Sequence, residues 1–285
     1  MFDPNLNEIY RAQLSQDEFD KLSSFIYKES GIKMPQVKKI MLQSRLQKRL
    51  RELKMTSFKD YCDYVFHKDN TGIEIIHMLD VVSTNKTDFF REPIHFDFLS
   101  KEVLPALYEN RRSNSTVKIW SAGCSSGEEP YTIAIVLQEF ANANSGMDYS
   151  IVGTDISTQI LQKSVDAVYK EDRVANIPIE IKRKYFLKSK DRTNPTVKVI
   201  PELRRKVRFG RLNFMDAYYD LPETFDVVFC RNVLIYFDRA TQEKVINKLC
   251  SKLKSGGYFF LGHSESIMNM DVPLKQIKPT IFQRL

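Results

Sequence analysis

The sequence predicts an α/β protein: a doubly wound, mainly parallel sheet with a small antiparallel insertion, preceded by a separate all-helical domain. Three observations predict it. From residue 94 onward strand and helix signals alternate. Between residues 14 and 80 apolar residues recur at helical spacing with no strand signal. The run from Val117 to Ile135 reads as a short apolar strand, a small-residue loop and an acid-led helix, the unit from which such sheets are built.

In the helical region, Ser15 and Glu18 form a capping box, and Phe19, Leu22, Phe25 and Ile26 mark the apolar face of the helix that follows. Leu42, Leu46, Leu50 and Leu53 mark a second helix, over about Val37 to Lys54, and Ser57 begins a third through Tyr61, Tyr64 and Val65. On the second helix Arg45, Lys48 and Arg49 fall at i, i+3 and i+4, away from the leucines, which predicts one basic face, either solvated or binding. The run from Val81 to Pro93 breaks the helical period, and its residue before Pro93 must leave the α region. Its polar donors with Phe89 and Phe90 suggest a connector that touches something rather than a plain linker.

Strands are expected at Val117 to Trp120, Ile151 to Asp155, Val207 to Asn213, Phe225 to Cys230, Gly257 to Leu261 and Thr280 to Gln283. Helices are expected from Glu128, from Ser157 and over about Arg239 to Leu253. The segment from Tyr185 to about Lys206 interrupts this rhythm. Its alternation over Thr196 to Ile200, bounded by Asn194, Pro195 and Pro201, predicts the antiparallel insertion. The expected division is 1–80 helical, 81–93 connector and 94–285 sheet domain.

With 285 residues, 42% hydrophobic and 28% charged, the chain has ordinary globular composition. No run approaches the roughly 18 apolar residues of a membrane span. The start of the chain, with Asp3, Asn5, Asn7 and Glu8, has no signal-peptide pattern, so a cytoplasmic location is expected. Cys62, Cys124, Cys230 and Cys250 are scattered, and His67, His77, His95 and His263 join none of them at metal-ligand spacing, so neither a disulfide framework nor a metal is expected. Cys124 reads as a small buried hydrophobe rather than a nucleophile. Two basic clusters stand on an otherwise acidic chain: eight Lys or Arg against Glu52 between Lys33 and Lys54, and twelve against Asp191 and Glu202 between Lys182 and Arg211. They point to two surfaces for acidic partners.

The loop after the first strand, Gly123, Cys124, Ser125, Ser126 and Gly127, is no phosphate loop, since Glu128, Glu129 and Pro130 stand where a Lys-Ser or Lys-Thr pair would be needed. Carboxylates only accept hydrogen bonds, so this helix start suits positive groups or hydroxyl and amine donors. Asp155, ending the second strand, stands where doubly wound sheets bind ribose hydroxyls. The pair suggests a nucleoside held without a pyrophosphate; an ordinary strand-to-helix turn is the plainer alternative.

These motifs resemble the class I methyltransferases that use S-adenosylmethionine, departing from their first motif at Ser121 and Ser125. Four runs, Thr84 to Glu92, Ser121 to Tyr131, Cys230 to Asp238 and Gly262 to Glu265, together resemble the CheR-type chemoreceptor glutamate methyltransferases over nearly the whole chain. The resemblance implies transfer of a methyl group from S-adenosylmethionine to receptor glutamates, with S-adenosylhomocysteine as product. It implies that Asn85, Thr87 and Arg91 contact the cofactor and that Glu129 pairs with the amino group of its methionine part. Gly123 lies in the binding loop, Asp155 takes the ribose hydroxyls, and Asn213 and Phe214 border the adenine. Arg231 and Asn232 close the site, while Arg91 and Tyr236 stand at the reacting centre. It further implies that Arg45, Lys48, Arg49 and Arg51 dock on the receptor's helical bundle, and that the insertion can take a receptor C-terminal peptide as an added strand. Members that bind such a peptide often carry glycines there, and this chain has none between Tyr185 and Lys206.

A glutamate with a pKa of about 4.3 is an anion at neutral pH, so the chemistry needs positioning rather than a general base. Two other readings are open to the sequence: a nucleic-acid methyltransferase, which the basic clusters alone would allow, and a module that senses the cofactor without transferring anything. Neither a nucleic-acid partner nor direct membrane insertion is expected. His263 and Ser264 do not make a hydrolase elbow, because Gly262 to Ser266 lacks the closing glycine.

Overall fold

A computed structural model describes residues 6–109 and 116–285. The first helices are α1 (Leu6–Arg11), α2 (Gln16–Ser30), α3 (Lys39–Leu53, entered through a 3-10 turn at Gln36–Lys38), α4 (Phe58–His67) and α5 (Ile73–Val82). The Ser15/Glu18 capping box forms as expected, and Ser57 caps α4. Phe19, Leu22, Ile26, Leu42, Leu46 and Leu50 bury together with Phe58, Tyr61 and Val65 in one core, with Phe25 and Leu53 half-buried at its edge. Gly31 ends α2 at φ 72°, where a Cβ would also lie 2.8 Å from Met215 Sδ. The left-handed conformation favours glycine there.

The expected basic face of α3 is corrected by the fold. Arg49 is 4% exposed, and its Nε and Nη2 donate to Glu74 at 2.9 and 2.7 Å, while the Tyr61 hydroxyl donates to Glu74 at 2.9 Å. Arg45 is half-buried and donates to the Ser83 carbonyl at 3.0 Å and to Thr84 Oγ1 at 3.1 Å. Both guanidiniums have turned toward carboxylate and carbonyl acceptors within the domain, because a buried guanidinium must be paired. Lys48 and Arg51 alone of the four are exposed.

After a connector come α6 (Ile94–Phe98), a π turn (Leu99–Val103) and α7 (Leu104–Glu109), then β1 (Thr116–Ala122), α8 (Glu128–Ala143), β2 (Asp148–Asp155) and α9 (Thr158–Asp166). β3 (Val168–Lys170), α10 (Ile179–Tyr185), β4 (Phe186–Lys188), β5 (Thr196–Val199) and α11 (Pro201–Arg204) follow. The chain ends through β6 (Val207–Arg211), β7 (Phe225–Cys230), α12 (Arg239–Lys252), β8 (Leu253–Leu261), β9 (Leu274–Lys278) and β10 (Ile281–Arg284).

Seven strands form one sheet in the order β6-β2-β1-β7-β8-β10-β9, parallel except that β10 runs antiparallel to both its neighbours. Ile119 faces a core with Phe96, Leu99 and Ile133, while the next residue, Trp120, faces a second core with Val245, Ile246 and Leu249 of α12. This period of two puts helices on both faces, as a doubly wound sheet requires. β9 was not expected: as an exposed edge strand, Leu274–Lys278 carries no apolar alternation to read. The small sheet has the order β3-β5-β4, so it also recruits Val168–Lys170 from upstream of the segment at 185–206. Among the described residues no helix is long and apolar enough to cross a membrane.

Candidate active site

Strands β1, β2 and β7 end side by side, and their C-terminal loops form the floor of a cavity. Opposite stand Ile32, Met34, Lys38 and Met41 of the helical domain, with the connector along one side. Three contacts stitch this seam: Asn213 Nδ2 donates to Glu29 O at 2.6 Å, Lys33 N to Tyr236 O at 2.9 Å, and the Tyr27 hydroxyl to Asp238.

The loop at 123–127 is folded back on β2. The Gly123 and Cys124 N–H groups both donate to Thr154 O, at 2.7 and 2.9 Å. Gly123 has φ 83°, and a Cβ there would lie 2.4 Å from Val233 Cγ2, so the position accepts only glycine without displacing a cavity wall. Ser125 N donates to Asp155 Oδ2 at 2.9 Å and Ser157 N to Oδ1 at 3.0 Å, which fixes the carboxylate. Burial pushes the Asp155 carboxyl above the usual range, against the opposing pull of the Ser157, Ser125 and Ile156 N–H groups. Cys124 is a buried free thiol, and burial raises it well above the ordinary thiol range, in keeping with a packing role.

The connector is held at several points. Glu92, before Pro93, leaves the right-handed α region but takes a left-handed φ of 58° rather than the extended one that proline favours, and Phe90 N donates to Thr132 Oγ1 at 3.1 Å. Phe89 stands edge-on to Tyr169 and Phe186 of the small sheet, with centroids 5.0 and 5.4 Å away. Arg173 clamps the run from outside, pairing with Asp88 at 2.9 Å and Glu128 at 2.8 Å and donating to Thr87 O. Ser125 Oγ donates to Asn85 O at 2.9 Å, tying connector to loop.

A charged cluster lies beneath the cavity. Arg231, 6% exposed, pairs with Glu129 and Glu92 at 3.0 Å each, donates to Arg91 O and lies 5.3 Å over the Phe96 ring. Burial raises the Glu129 carboxyl, with Arg231 and Ser121 opposing. At Glu92 burial also pulls upward, but Arg231, Asn232 and the His263 N–H outweigh it and hold the carboxyl below its ordinary range. The fold also gathers Glu92, His95 and His263, which the sequence did not place together, although Arg231 already occupies the facing Glu92 oxygen. Glu265 is a second organiser: its buried carboxylate accepts the N–H groups of Asn232, Val233, Leu234 and Gly262 at 2.6 to 2.9 Å.

Asn85, Thr87, Arg91, Gly123, Glu129, Asp155, Asn213, Phe214, Arg231, Asn232 and Tyr236 all line this one cavity. Arg45, Lys48, Arg49 and Arg51 do not. The alternative of an ion pair between Arg91 and Glu92 or Asp88 is not what forms: Asp88 pairs with Arg173 and Glu92 with Arg231, while Arg91 Nη1 donates to Lys86 O at 3.0 Å and joins no ion pair among the described residues. Sequence reasoning missed Arg173 and the role of Glu265. Arg173 acts on a segment some 86 positions away, and three of the four amides that Glu265 holds lie 31 to 33 positions away.

Residues 17–83 match the family model described as the CheR methyltransferase all-alpha domain, and residues 85–282 match the CheR methyltransferase SAM binding domain. A chemotaxis protein methyltransferase of Borreliella burgdorferi is 40% identical, over 98% of this chain and 97% of that relative. One from Escherichia coli is 33% identical over 92% of this chain and 88% of its own length, and chemotaxis protein methyltransferase 2 of Pseudomonas aeruginosa is 33% identical over 94% and 93%.

Proposed function

The chain belongs to the CheR methyltransferase family and is an S-adenosylmethionine-dependent enzyme of chemotaxis, and from that premise we propose that it esterifies glutamate side chains in the cytoplasmic domains of chemoreceptors. The observation that carries this reading is the pairing, in one cavity, of fixed carboxylates with an arginine in no ion pair among the described residues. The donor set fits the cofactor. Asp155 offers a fixed carboxylate to ribose hydroxyls, Phe214 offers an apolar wall for a base, and Glu129 offers a carboxylate to an ammonium group.

When bound, S-adenosylmethionine supplies a methyl group on a sulfonium centre. This chain's own work is to orient the acceptor and exclude water. Arg91 presents a planar fork that matches a carboxylate, and Tyr236, at the cavity lip, offers a hydroxyl with no protein partner among the described residues. Neither exchanges a proton, because the glutamate is already ionised. Glu265, acting through the backbone of residues 232–234, and Arg231, through Arg91 O and Glu129, are positioning residues. The exposed Lys48 and Arg51 face the receptor bundle in this reading, and a receptor tail, where present, extends the small sheet at β4. A tail peptide that leaves the amide signals of Phe186–Lys188 unmoved would remove that last part.

Radiolabelled methyl transfer to a receptor cytoplasmic fragment, followed by mild base, tests the main reading. Label leaving as methanol is expected. Base-stable label, or label on nucleic acid only, overturns the substrate. A normal rate in Arg91→Ala would remove that residue's orienting role.

A further inference from the structure

Val37 and Ile40 are 89% and 80% exposed, the barest large apolar side chains among the described residues. They stand three apart where the 3-10 turn runs into α3. Lys38, between them, and Met41, just after, line the active cavity, and Lys38 Nζ lies 5.8 Å over the Tyr236 ring. One turn of the chain is therefore both the lip of the site and an uncovered apolar step. Ile235, next to Tyr236 in sequence, is 49% exposed.

The charges around this step set the chemistry of what covers it. Lys33, Lys38 and Lys39 join no ion pair among the described residues, whereas Arg45 and Arg49 further along are committed to the connector and to Glu74. Apolar anchors ringed by unpaired cations fit an acidic helix that exposes apolar side chains beside the acceptor glutamate.

Resting on the receptor reading, we infer that Val37 and Ile40 grip the helix that carries the acceptor glutamate, through its apolar side chains within about two helical turns of that residue. The contact selects among acceptor sites and takes no part in the chemistry.

The experiment measures methylation of a receptor cytoplasmic fragment by the full chain, by Val37→Ser/Ile40→Ser and by Val37→Leu/Ile40→Leu, with cofactor Kd for each. Neutral replacements avoid repelling an acidic partner. The serine pair should raise KM for the fragment tenfold or more, both at low salt and at about 1 M, where charges are screened beyond roughly 3 Å, with kcat and cofactor Kd within about twofold; the leucine pair should keep the wild-type KM. An unchanged KM in the serine pair, or a KM that moves only together with cofactor Kd, overturns the inference. If the unaltered enzyme puts no base-labile label on the fragment, the receptor reading falls first and this inference with it.

Discussion

Arg49→Ala separates a core role from a docking role for this residue. In the structure Arg49 gives two hydrogen bonds to Glu74, which is 2% exposed, and the Tyr61 hydroxyl gives a third. Truncating the arginine strands the Glu74 carboxylate in the helical core with the tyrosine as its side-chain donor. Breaking one partner of a buried pair costs about 3–5 kcal/mol, whereas removing the whole group in favour of apolar residues is often neutral. Thermal unfolding followed by circular dichroism should show the chain melting roughly 10 °C lower, using about 2–4 °C per kcal/mol for a protein of more than about 150 residues. Arg49→Met with Glu74→Leu and Tyr61→Phe should recover most of that loss. KM for the receptor fragment, measured below the melting range, should stay near wild type. Wild-type melting combined with a raised KM would refute the assignment and return Arg49 to the docking face.

Three further outcomes are expected. Gly123→Ala combines a φ of 83° with a Cβ placed 2.4 Å from Val233 Cγ2, so calorimetry should show cofactor affinity falling tenfold or more, partly restored by Val233→Ala; unchanged affinity would count against the loop geometry. Glu265→Ala removes an acceptor shared by four N–H groups, worth about 1.5–3 kcal/mol for charge-assisted bonds, and the amides of Asn232, Val233 and Leu234 should lose hydrogen-exchange protection while kcat falls. Burial, then Arg231, lower the His95 imidazole to about 4, so the folded protein keeps it neutral while the unfolded chain takes up a proton near pH 6.5. Its contribution, up to about 3 kcal/mol, is complete above pH 6.5 and lost as pH falls toward 4, and His95→Gln should flatten the stability profile across that window. Glu92, held below its ordinary range, acts lower, its share going as pH drops below about 4.5.

What could be read from the sequence followed from period and from local chemistry. The strand at Phe225–Cys230 was legible because its apolar run is continuous, and the turn at 123–127 because glycines and acids meet within a few residues. The opposite holds for α3. Arg45 and Arg49 look like a solvated stripe until α5 and the connector supply acceptors from 25 to 39 positions away. The cavity residues came through their resemblance to a family, since the loops that assemble them are joined only by the closing of the sheet. Arg173 and Glu265 escaped because their partners are backbone groups and carboxylates that become neighbours only once the chain is folded.

The seam between Asn213 and Glu29, and between Lys33 and Tyr236, has a thermodynamic consequence. With Met34 and Lys38 on one wall and Asp155 and Phe214 on the other, a ligand that touches both walls becomes a fastener between two bodies. Its binding free energy is added to their cohesion, about 2.7 kcal/mol at a concentration one hundred times Kd. A spent cofactor that bridges both walls gives up the same cohesion as it is released, the kind of step that sets turnover in many enzymes. Affinity and turnover are therefore set against each other at this joint, and substitutions that slacken it should trade one for the other.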